Sequence, residues 1–146
     1  AGFQRRLDQM PAFVAPLSLE ALAETSDYVT FACPLNDSTR GLWSAALIRK
    51  MKRSAYLVNA ARGAIVDEAA LIEALRERRI AGAALDVFAK QPLAADSMLL
   101  SLDNVLVTPH LAGIGVEAMR AMSIGAAEES LRVLRGEPPI NWVNRW

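Results

Sequence analysis

Asn59-Ala60-Ala61-Arg62-Gly63-Ala64-Ile65-Val66-Asp67-Glu68 is the stretch whose reading decides the fold. Before it, Ala55 to Val58 is an apolar run of strand length, and after it Asp67 to Arg78 repeats apolar residues at helical spacing. A strand, a short turn and a helix make a βα unit, with Arg62 in the turn at the strand's carboxyl end. Open α/β sheets bind ligands at those ends, and a guanidinium there can hold a carboxylate through two parallel hydrogen bonds. Gly63 is read as giving the turn access to positive φ. From the turn alone two readings of Arg62 fit equally, a ligand anchor or a surface cation paired with a nearby carboxylate.

Working toward the amino end, Ser18 caps a short helix from Leu19 to Glu24, and Tyr28-Val29-Thr30-Phe31 is a first strand closed by Pro34. The turn at Leu35-Asn36-Asp37-Ser38 leads past Gly41 to a helix that begins near Ser44 and carries Leu47, Ile48 and Met51. Ala55 to Asn59 is the second strand. Asp67 caps the third helix, whose Ala70, Leu71, Ala74 and Leu75 form one apolar stripe, and Arg76, Arg78 and Arg79 make its last turn basic, as the helix dipole favours.

Toward the carboxyl end, Gly82 to Phe88 is a third strand and Val105 to Thr108 a fourth. An irregular crossover through Pro92 and Met98-Leu99-Leu100 joins them. Nearly continuous apolar runs predict strands covered on both faces, as in a parallel sheet. A long helix from about Val116 to Arg135 ends at Gly136, with Pro138-Pro139 beyond. The tail from Ile140 to Trp146 carries two Trp residues expected to pack on another part of the protein.

The 146 residues are 53% hydrophobic and 22% charged, enough for one domain with a proper core. Sixteen basic residues balance sixteen acidic ones, and neither sign forms a block, so no nucleic-acid or anionic-membrane partner is expected. Cys33 is the only cysteine and no apolar run reaches membrane-span length, so a cytoplasmic setting is expected. The chain opens at Ala1 without Met and enters an αβ alternation almost at once, which is read as a fragment lacking an upstream portion.

Three successive strand ends carry polar groups: Arg62, Asp86 and His110. His110 is the only histidine, and its ordinary pKa lets it donate or accept a proton near neutrality. Beside a guanidinium on the same edge, it suits a substrate in which a carboxylate adjoins a carbonyl. A lone histidine is also a common structural residue. One Cys and one His do not make a zinc set, and no Gly-x-Ser-x-Gly elbow is present, so neither metal nor serine chemistry is expected. Cys33 fits a small residue lining a pocket better than a reactive thiol. Asp86 fits either a ligand contact or a cap on backbone donors.

Taken together, Asn59-Ala60-Ala61-Arg62-Gly63, Gly82-Ala83-Ala84-Leu85-Asp86-Val87-Phe88 and Thr108-Pro109-His110-Leu111-Ala112-Gly113 resemble the D-isomer-specific 2-hydroxyacid dehydrogenases, from about Leu17 to Arg135. The resemblance implies an α/β fold, a partial Rossmann-type parallel sheet flanked by helices. Residues 1–146 would form the second half of an NAD(P)-binding domain with its C-terminal helix and tail, the phosphate-loop half and the substrate domain being absent. It implies hydride transfer between NAD(P)H, with NAD slightly favoured, and a small 2-oxoacid such as hydroxypyruvate or glyoxylate. Arg62 would bind the substrate carboxylate and His110 would be the acid/base. Cys33, Ala60, Ala61, Arg62, Asp86, His110, Leu111, Ala112 and Gly113 would line the nicotinamide side of the cofactor site. A homodimer is expected for the full-length protein, and no activity for the fragment alone.

One departure concerns catalysis. The family usually has Glu before the proline that follows the third strand, and this chain has Gln91 before Pro92, which places Gln91 with Arg62 and His110 in the catalytic set. A carboxylate beside His110 would stabilise the imidazolium; an amide can orient the ring but lacks the charge. Formate dehydrogenases also resemble the family and carry Gln there, so formate oxidation is one alternative. A non-catalytic NAD(H)-sensing protein on the same fold is another.

Overall fold

The structure, a computed structural model, describes residues 1–4 and 7–142. Its backbone forms two compact units, residues 1–110 and residues 111–146. In the first, helices α1 (Leu19–Thr25), α2 (Ala45–Lys50) and α3 (Glu68–Arg76) alternate with strands β1 (Tyr28–Phe31), β2 (Tyr56–Asn59), β3 (Gly82–Leu85) and β4 (Val105–Val107). The strands lie in the order β1-β2-β3-β4 and every pairing is parallel. Each strand therefore points its carboxyl end to the same edge, which is the arrangement the βα reading of residues 55–78 requires.

The helix starts follow from side-chain caps. Ser18 accepts a hydrogen bond from the Ala21 amide at 3.1 Å, and Asp67 accepts one from the Ala70 amide at 3.1 Å, each meeting a donor that the first helical turn leaves open. Leu47 and Ile48 of α2 and Leu71, Ala74 and Leu75 of α3 are buried, and they share one core with Val29, Phe31, Leu57, Ala83 and Leu85 of the sheet. Trp43 sits in that core in a T-shaped arrangement with Phe31, the centroids 5.6 Å apart.

The expectation that both sheet faces are covered does not hold within this unit. Register aligns Tyr28 with Tyr56 and Gly82, and Thr30 with Val58, Ala84 and Leu106. Tyr28 is 71% exposed and Leu106 65%, whereas the alternate row of Val29, Leu57 and Ala83 is buried. The helices fill one face only. On the other, Tyr28 and Tyr56 stack on each other with ring centroids 5.6 Å apart.

Two further differences are local. Helix α3 stops at Arg76, so Arg78 and Arg79 lie beyond its last turn. Arg78 takes a left-handed backbone conformation at φ 53° and pairs with Asp103, while Arg79 pairs with Glu77. Their charges are used on carboxylates rather than on the helix end. Gly63 does not adopt positive φ; the glycines that do are Gly41 and Gly136. Its role is close approach, developed below.

In the second unit, α4 (Val116–Leu134) runs for 19 residues and buries none of them. Gly136 follows it at φ 75°, ending the helix as its position predicts. Trp142, expected to pack, is exposed, and residues 143–146, which carry the other tail Trp, lie outside the described residues.

Candidate functional site

Four strand exits make the candidate site. After β1 come exposed Ala32 and half-buried Cys33; after β2, exposed Ala60, half-buried Ala61 and exposed Arg62. Asp86 follows β3 directly and is buried, and His110 lies three residues past β4, exposed and left-handed at φ 59°. Positive φ is uncommon outside glycine, with His among the residues that tolerate it best. Arg62 and His110 follow strands two spacings apart, roughly 10 Å, with Asp86 at the exit of the strand between them.

Adjacent exits are tied by hydrogen bonds. The Asp86 amide donates to the Asn59 carbonyl at 2.9 Å, and the Thr108 amide donates to the Leu85 carbonyl at 3.0 Å. The Thr108 hydroxyl donates to the buried Asp86 carboxylate, which supplies the hydrogen bonding such a group needs. Asn59, the last residue of β2, uses both ends of its amide on the Arg62 turn. Its Oδ1 accepts from the Ala61 amide at 3.1 Å and its Nδ2 donates to the Arg62 carbonyl at 3.0 Å.

The Arg62 turn also packs on the exit of β3. A Cβ on Gly63 would lie 2.0 Å from the Phe88 carbonyl carbon and oxygen. Glu68, in the first turn of α3, accepts a hydrogen bond from the Ala89 amide at 2.8 Å. The loop that carries exposed Gln91 is thereby fastened to the helix that follows Arg62. Among the described residues, neither Gln91 nor His110 makes a side-chain hydrogen bond, and the Arg62 guanidinium donates from Nη1 to the neighbouring Ala61 carbonyl at 2.6 Å.

Cys33 also lines an open cleft of about 1030 Å³ that runs along β1 past Tyr28, Phe31 and Trp43; Arg62, Asp86 and His110 are not in its lining. Leu111, Ala112 and Gly113 open the second unit, where Leu111 is exposed and its carbonyl accepts from the Ile114 amide at 2.8 Å. Sequence reading named Arg62, Asp86, His110 and Gln91 but gave no site role to Asn59, Glu68 or Thr108. For Asn59 a signal was available, since a polar residue at the end of a buried apolar strand needs partners, and the nearest free backbone groups belong to the following turn. No cluster of His, Cys, Asp and Glu able to hold a metal ion occurs among the described residues, nor is any described helix long and apolar enough to cross a membrane.

Residues 3–112 match the family model for the D-isomer specific 2-hydroxyacid dehydrogenase NAD binding domain. The chain belongs to that family. It is 46% identical over 127 residues to a glyoxylate reductase of Thermofilum pendens, an alignment covering 87% of this chain and 38% of that protein. Among solved structures it is similar to the D-isomer specific 2-hydroxyacid dehydrogenase of Xanthobacter autotrophicus Py2 in complex with NADPH and MES, at 44% identity and TM-score 0.74, covering 86% of this chain and 51% of that one. A second is the enzyme of the same description from Lactobacillus delbrueckii ssp. bulgaricus in its NAD complexed form, at 31% identity and TM-score 0.80, covering 90% and 44%. The chain thus spans well under half the length of the curated relative it matches.

Proposed function

We propose that this chain is the nicotinamide-side part of the cofactor domain of an NAD(P)-dependent 2-oxoacid reductase, with glyoxylate or hydroxypyruvate as substrate. The observation that carries the reading is the parallel sheet whose adjacent exits present a cation, a buried carboxylate and an imidazole in sequence order. Sequence beyond these 146 residues would supply the phosphate-binding half and the substrate domain, and the intact protein would act as a cytoplasmic homodimer.

The donor set fits a nicotinamide. Cys33, Ala60 and Ala61 are small and uncharged, leaving room at the β1 and β2 exits, and Asp86 beside them can accept from a carboxamide. Leu111, Ala112 and Gly113 complete the set by sequence. When bound, the dinucleotide supplies the hydride, and the chain's contribution is orientation and charge placement. Arg62 would exchange its contact with the Ala61 carbonyl for the substrate carboxylate, which a guanidinium can hold through two parallel hydrogen bonds. His110 would protonate the oxygen of the reduced carbonyl at one ring nitrogen, with Gln91 as the group available to orient the ring.

Steady-state assays of the intact protein with NADH and NADPH against glyoxylate, hydroxypyruvate and pyruvate test this reading. Turnover of at least one 2-oxoacid is expected. Formate oxidation without 2-oxoacid reduction, or cofactor binding with no turnover, would replace it.

A further inference from the structure

We propose that Asn59 is the positioning residue for Arg62, setting the peptide geometry from which the guanidinium reaches a substrate carboxylate. The proposal rests on the reading of Arg62 as the carboxylate anchor. Asn59 is 2% exposed and stands in register with Phe31 and Leu85, where an apolar side chain would pack without desolvation cost. Its amide is instead engaged at both ends by the next three residues: the acceptor end takes the Ala61 amide and the donor end reaches the Arg62 carbonyl. That carbonyl also accepts from the Ile65 amide at 3.2 Å, so donors from two directions hold the Arg62 peptide plane.

The main chain of Asn59 adds a third tie, accepting the Asp86 amide at 2.9 Å, so one residue connects the Arg62 turn to the next strand's exit. Gly63 blocks retreat on the other side, since it abuts the Phe88 carbonyl with no space for a Cβ. Arg62 itself is extended, at φ −146° and ψ 139°, and no side chain caps the short helical turn that follows it. Among the described residues, Asn59 is the one side chain from outside the turn that hydrogen-bonds its backbone, beside the contact of Arg62's own guanidinium with the Ala61 carbonyl.

The substitution N59D tests the proposal in the intact protein, because it keeps the volume and the acceptor for Ala61 but turns a carboxylate oxygen toward the Arg62 carbonyl. Combined with R62K in a double-mutant cycle, it is read by the KM for glyoxylate and the KM for NADH. Loss of one buried donor predicts roughly a tenfold rise in the glyoxylate KM, with the NADH KM changed less than about twofold and little further rise from N59D in the R62K background. Equal effects of N59D in both backgrounds, or parallel losses for both substrates, would overturn the positioning role and leave Asn59 a structural residue. An unchanged glyoxylate KM in R62K alone would overturn the anchor reading itself, a separate outcome. If N59D does not fold, N59S, which is too short to span both contacts, enters the same cycle with the same expected pattern.

Discussion

Gly63 offers the sharpest quantitative test of how the candidate site is held, because a single methyl group meets backbone. In G63A the new Cβ would lie 2.0 Å from the Phe88 carbonyl and 2.5 Å from the Ala89 nitrogen, and that gap must open to at least the 3.4 Å at which ordinary contact begins. No side chain can rotate away. The obstructing peptide leaves a buried strand and is tied to Glu68, so either the Arg62 turn or the β3 exit must move by more than an ångström. Overpacking a rigid site costs about 1–3 kcal/mol, and a backbone obstacle puts this case near 3 kcal/mol. For 146 residues unfolding as one unit, that is a fall in Tm of roughly 9 °C. Thermal and urea unfolding of the parent and G63A measure it, and a Tm within about 2 °C of the parent would refute the close-packing argument. A marked loss relieved by serine would refute it as well, because serine carries the same Cβ.

Glu68 fixes the Gln91 loop through the Ala89 amide, so E68A should raise hydrogen exchange at Ala89 by roughly tenfold and E68Q by less, since glutamine keeps an acceptor; unchanged exchange in E68A would mean that the contact is not held in solution. The proposed pairing of residue 91 with His110 predicts that Q91E moves the reductive pH profile upward, because His110 must be protonated to act and a neighbouring carboxylate favours that form; an unmoved profile would separate Gln91 from His110. The hydrogen bond and then the charge of Arg78 hold the Asp103 carboxyl below the usual carboxylate range. A depressed folded-state pKa contributes stability above about pH 4 and loses it as pH falls through the lower value. The substitution D103N should therefore lower the urea midpoint slightly at pH 7 and approach the parent as the pH is lowered below the usual carboxylate range, while equal midpoints at pH 7 would show that the exposed pair contributes nothing.

Much of the fold was legible in the sequence because its elements are marked by local chemistry. Ser18 and Asp67 cap the helices they were expected to cap, and the apolar stripe of α3 faces the core. The open sheet face was not legible. Tyr28, Val58 and Leu106 look as apolar as Val29 and Leu57, and only register reveals which row the helices cover. Gly63 was misread for a related reason: sequence marks a glycine but does not distinguish a need for positive φ from a need for close approach.

The candidate site divides in the same way. Arg62, Asp86 and His110 stood out because charge or an ionisable ring at strand exits is unusual, and the parallel sheet brings those exits to one edge. Asn59, Glu68 and Thr108 act on backbone and neighbouring groups brought close by the fold, contacts that spacing along the chain does not encode.

The central claim concerns Arg62 and His110, and a crystal structure of the intact protein with NAD(P)H and an unreactive 2-oxoacid analogue tests it most directly. The account predicts the Arg62 guanidinium on the analogue's carboxylate and a His110 ring nitrogen within about 3 Å of its carbonyl oxygen. An analogue bound with its carboxylate held by other groups, or with His110 turned away from the carbonyl, would contradict it.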